Sequence, residues 1–101
     1  MMEVGSYKWH RRAFTALNQL AGDDQAQVLE RLASLVDTPA ASWPETLAKR
    51  LPDNPSLYLV RINDSLRVIL RSVEGQQPEV MDIVRHETLK SFATGAARTG
   101  D

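Results

Sequence analysis

The pattern that most restricts how this chain can fold is an alternation in its second half. Three runs, 57–62, 66–72 and 79–84, are rich in aliphatic and β-branched residues. They are separated by Asn63-Asp64-Ser65 and by Glu74-Gly75-Gln76-Gln77-Pro78, both turn-forming. Connections this short predict two antiparallel hairpins with the middle run in the centre. Side chains on a strand alternate between the two faces of its sheet. One set, Tyr58, Val60, Ile62, Leu66, Val68, Leu70, Met81 and Ile83, is continuously apolar. The other is Leu57, Leu59, Arg61, Arg67, Ile69, Arg71, Val80, Asp82 and Val84, with His86 just beyond. An unpaired buried charge costs several kcal/mol, so a face carrying three arginines must meet water. The apolar face needs a second layer to cover it.

The first half supplies that layer. Ala13, Phe14, Leu17, Leu20 and Ala21 recur at helical spacing until Gly22. Val28, Leu32, Leu35 and Val36 form the stripe of a second helix, with Asp23 or Asp24 as its cap and Asp37-Thr38-Pro39 as its end. Tyr7-Lys8-Trp9-His10 is the length of an edge strand leading into the first helix. Residues 39–55 are irregular: Pro44 after Ser42-Trp43 predicts one or two helical turns over 44–51. Trp9 and Trp43 are expected to be packing anchors. Glu87, Leu89, Phe92 and Ala93 suggest a short C-terminal helix or turn. The expected fold is α+β, two N-terminal helices packed on an antiparallel sheet of three to four strands. The 101 residues are expected to form one domain, 1–101.

Composition removes several classes of function. There is no cysteine, so disulfides and thiolate metal sites are out. Two histidines and no acidic cluster predict neither a metal site nor a cofactor. No phosphate-binding glycine loop, nucleophile elbow or dinucleotide fingerprint is present. No apolar run nears the ~20 residues of a membrane helix, and no signal-peptide pattern opens the chain, so a cytoplasmic protein without membrane contact is expected. The net charge is −1, so any nucleic-acid function must rest on where charge is placed.

Arg61 and Arg67 flank the first turn, and the antiparallel order brings the end of the third run beside Arg67, so His86 should approach both. Arginine grips phosphoryl oxygens bidentately and histidine moves protons near neutrality. Together they suffice for metal-free RNA cleavage by attack of a 2′-hydroxyl on the adjacent phosphate. The same parity pattern also describes a solvated sheet face with solubilising arginines. Asp82 on that face is placed to pair with Arg71, and His10 beside Arg11 and Arg12 reads as a surface residue.

The element order resembles RelE/ParE-superfamily toxins of type II toxin–antitoxin systems. The stretches that carry the likeness are Leu57-Tyr58-Leu59-Val60-Arg61-Ile62, Leu66-Arg67-Val68-Ile69-Leu70 and Asp82-Ile83-Val84-Arg85-His86-Glu87. The likeness spans Tyr7 to Phe92. It implies a toxin that arrests growth as a ribosome-dependent messenger-RNA endoribonuclease. Arg61 would contact substrate, Arg67 would stabilise the cleaved phosphate and His86 would take the C-terminal catalytic place. Lys49, Arg50, Arg71, Arg85 and Phe92 would be RNA-binding. Partners implied are a cognate antitoxin laid in the exposed groove, the ribosome and messenger RNA. Phe92 falls where several active members have a tyrosine, and it cannot transfer a proton. That departure, with the near-neutral charge, keeps a ParE-like DNA gyrase inhibitor, or a noncatalytic RelE-fold interaction module, as alternatives.

Overall fold

The computed structural model describes residues 2–4 and 6–87. Two helices are built where the apolar period required them, α1 over Arg11–Gln19 and α2 over Gly22–Val36. His10 caps α1, its Nδ1 accepting from the Arg12 amide at 3.4 Å. The cap of α2 is Ala21, not Asp23 or Asp24; both aspartates lie in the first turn, where carboxylates offset the helix dipole. Ala13 and Leu17 of α1, and Val28, Leu32 and Leu35 of α2, are buried.

They cover a six-stranded sheet. Its strands are β1 (Met2–Val4), β2 (Tyr7–Trp9), β3 (Ala48–Leu51), β4 (Asn54–Arg61), β5 (Leu66–Arg71) and β6 (Glu79–Arg85), in the order β1-β2-β6-β5-β4-β3. The meander β4-β5-β6 is antiparallel, as the short turns require. The strand count exceeds the expected three to four, and the sheet is mixed. β2 is an inner strand, paired antiparallel with β1 and parallel with β6. The Lys8 amide donates to Pro78 O at 3.0 Å and the His10 amide to Val80 O at 2.9 Å. The segment 44–51 keeps one turn, with the Leu47 and Ala48 amides on Pro44 O, and then becomes β3 rather than helix. Pairing with β4 satisfies its backbone, and this outweighs the helical propensity of Ala-Lys-Arg-Leu.

The core holds Tyr7, Trp9, Trp43, Tyr58, Val60, Ile62, Leu66, Val68, Leu70 and Ile83 beneath the helices. Trp43 meets the Tyr58 ring edge-on at 5.0 Å, and its indole N–H donates to Thr38 O at 2.9 Å. The Tyr7 hydroxyl donates to Leu32 O at 2.7 Å, tying β2 to α2, and burial pushes its pKa up to about 12. One part of the predicted alternation fails. A bulge in β6 sets Ile69 opposite Asp82 but Leu70 opposite Val80. Met81 is the extra residue, so Val80 turns into the core and is fully buried, while Met81 is half-buried. The Arg12 Nε–H donates to Met81 O at 3.4 Å, giving the bulged carbonyl a partner.

Candidate nucleic-acid interface

The face of the sheet away from the helices is built in rows set by strand register. Arg61 and Arg67 are direct cross-strand partners, and Arg67 is opposite Val84 on its other side. The next row is Lys49, Leu59, Ile69 and Asp82. The third is Leu57, Arg71, Glu79 and Lys8. Arg71 therefore faces Glu79 rather than Asp82, because the bulge moves Glu79 into that row. The Asp82 carboxylate instead accepts from the Ile83 amide at 2.8 Å.

Like charges directly opposed across a ladder repel, so the Arg61–Arg67 pair needs compensation. The turn between them supplies it. The Asp64 carboxylate binds the Arg61 guanidinium, the one ion pair among the described residues. Arg67 Nη1 donates to Asn63 O at 2.5 Å and to Leu66 O at 2.9 Å. Those bonds fix one edge of the guanidinium and leave Nε and Nη2 for an anion. Asn63 is itself held at both ends. Its Oδ1 accepts from the Ser65 and Leu66 amides at 2.8 and 2.9 Å. Its Nδ2 donates to Gln27 Oε1 at 2.6 Å and Asp24 Oδ1 at 3.2 Å on α2. An Asx turn is legible in Asn63-Asp64-Ser65, but its tie to α2 and its grip on Arg67 come only from the fold.

The other candidates divide. The His86 amide donates to Ser65 O at 2.7 Å, which places His86 beside the same turn, and its side chain is exposed. Arg85 is opposite Leu66, on the core-side parity, yet at the strand end it too is exposed. Lys49 lies on the arginine face. Arg50 does not: it pairs with Tyr58 on the helix side, donating from Nη2 to the tyrosine hydroxyl at 2.8 Å and lying 5.5 Å from the ring centroid. Phe92 lies outside the described residues, as does the expected C-terminal helix beyond Glu87. Among the described residues no three His, Cys, Asp or Glu side chains gather as metal ligands, and no helix is long and apolar enough to cross a membrane.

This architecture, two helices laid on one face of a mixed sheet, is a fold found among solved toxin structures. Three solved structures share it. The isolated RelE toxin of E. coli superposes with a TM-score of 0.67 at 15% identity, covering 92% of this chain and 96% of that one. A YoeB/ParE toxin from Agrobacterium tumefaciens gives 0.64 at 19% identity, covering 80% and 98%. The archaeal RelE–RelB complex of Pyrococcus horikoshii OT3 gives 0.61 at 19% identity, covering 79% and 94%. No protein-family model matches the sequence. No curated protein sequence matches it either.

Proposed function

We propose that this chain is the toxin of a toxin–antitoxin pair and acts in the cytoplasm as a metal-independent endoribonuclease on ribosome-bound messenger RNA. The observation that carries the reading is the direct pairing of Arg61 with Arg67 on the sheet face that α1 and α2 leave uncovered. The turn offsets the repulsion of this pair only from outside, through the exposed Asp64 and two carbonyls, and the free edge left on Arg67 fits an anionic ligand. The toxins of the same fold and the RelE–RelB pairing support the toxin role and an antitoxin partner.

In the proposed reaction the 2′-oxygen attacks the adjacent phosphorus, its proton leaves, the new O–P bond forms and the bond to the 5′-oxygen breaks. Arg67, with its guanidinium steadied by two carbonyls, and Arg61 stabilise the charge that builds on the phosphoryl oxygens. His86 carries one of the two protons, either taking it from the 2′-oxygen or giving it to the departing 5′-oxygen, and water carries the other. Lys49 extends the basic face along the strand.

Ribosomes programmed with messenger RNA and incubated with the protein in a chelator test this. Cleaved message, abolished by Arg67→Ala, is the expected result. Intact message together with blocked gyrase supercoiling would move the function to the ParE type, a reading in keeping with Phe92, which by the family resemblance falls near where several active members have a tyrosine.

A further inference from the structure

The third row of the arginine face holds a feature that the cleavage chemistry does not use. Parallel pairing of β2 with β6 brings Lys8 beside Glu79, and the β6 bulge brings Glu79 beside Arg71. These residues, with Val73, Gln76 and Gln77, line a hollow of about 290 Å³. Lys8 and Arg71 are exposed and neither is in an ion pair, whereas Glu79 is half-buried between them. Strand spacing puts the two cations about 10 Å apart, two strands across. It puts Arg71 about 13 Å from Arg67, four residues along β5.

We propose that Lys8 and Arg71 form a second phosphate subsite, which holds the single-stranded RNA backbone some way along the strand from the bond addressed by Arg61 and Arg67. The inference rests on the ribonuclease reading and names the path of the substrate across the face. Between the two cationic sites lie the half-buried Leu59 and Ile69, over which bases can lie while phosphates are held at either end, with Asp82 beside Ile69 in the same row. Glu79 limits the repulsion between Lys8 and Arg71 and presents a carboxylate and, with Gln76, an amide toward a nucleotide. A carboxylate repels phosphate, so Glu79 keeps the backbone on the flanking cations rather than on the strand between them.

Each phosphate contact to a single strand contributes about 0.7 to the slope of log affinity against log salt. The test uses full-length protein and two 2′-O-methylated, uncleavable oligouridylates, of about two and about twelve nucleotides. Binding is followed by chemical-shift titration across a salt series. The double variant Lys8→Gln/Arg71→Gln, both positions exposed and free of ion pairs among the described residues, should lower the slope for the longer oligomer by about 0.7, the one phosphate of the second subsite. It should leave the shorter one, which Arg61 and Arg67 suffice to hold, unchanged. Glu79→Gln should tighten the longer oligomer. An unchanged slope for the longer oligomer, with normal binding by the parent protein, overturns the second subsite alone. Failure of the parent protein to bind either oligomer also overturns this inference, while the ribonuclease reading itself stands or falls on the programmed-ribosome assay.

Discussion

Asn63 does more per atom than any other side chain near the arginines, because its amide oxygen closes the β4–β5 turn while its nitrogen reaches α2. Asn63→Ala strips two bonds within the turn and two that tie the turn to α2, and should cost on the order of 1–3 kcal/mol. Thermal unfolding should register this as a fall of roughly 5–15 °C. Asp64 has the opposite character. Its carboxylate occupies Arg61, so an incoming phosphate must displace it. The pair is exposed, and exposed pairs are weak, so Asp64→Asn should tighten RNA binding by only roughly two- to fivefold. Looser binding by Asp64→Asn would mean that the aspartate orients Arg61 rather than competes for it. Tyr7 gives a pH signature. Its folded pKa of about 12 exceeds the ordinary 10.0, so above pH 10 the unfolded chain releases the phenolic proton first. Stability should therefore fall between pH 10 and 12, and denaturant melts of Tyr7→Phe should show a shallower fall across that window.

Among the elements, the hairpins and the arginine-bearing face were readable from the sequence because period-two alternation and short turns act locally. What escaped was what depends on distant pairing. β2 is three residues long and joins β6 with Lys8 paired to Glu79 and Trp9 to Val80, so nothing in Tyr7-Lys8-Trp9 announces a parallel partner so far along the chain. β3 has a helix-forming composition and becomes a strand only because β4 offers it a ladder. The bulge at Met81 is silent in the pattern, since Glu79-Val80-Met81-Asp82 alternates no differently from an unbulged strand. It is also the reason Arg71 meets Glu79 rather than Val80. Strict alternation would place Val80 and Val84 on one face with similar mutational costs. With the bulge, Val80→Ala should cost about 2 kcal/mol, by loss of two buried methyl groups, and Val84→Ala less than half of that. Equal costs in urea denaturation would argue for a regular β6.

At the scale of the whole molecule, the sheet divides labour between its faces. One face carries α1, α2 and the aromatic cluster, and there Arg50 is spent on Tyr58. The other carries Arg61, Arg67, Arg71, Lys49 and Lys8 in rows that sequence parity foresaw only in part, since Lys8 joins them through the fold. A net charge of −1 is compatible with this, because the helices carry acids such as Asp23, Asp24 and Glu30 on the far layer. On the proposed reading RNA meets the open face at the β4–β5 turn. Backbone chemical-shift mapping with an uncleavable single-stranded oligoribonucleotide tests it directly. Perturbations concentrated at Arg61, Arg67, Val84 and His86, with Arg50, Tyr58 and Leu35 unmoved, are the expected result; a footprint on the helix side that spares Arg61 and Arg67 would contradict it.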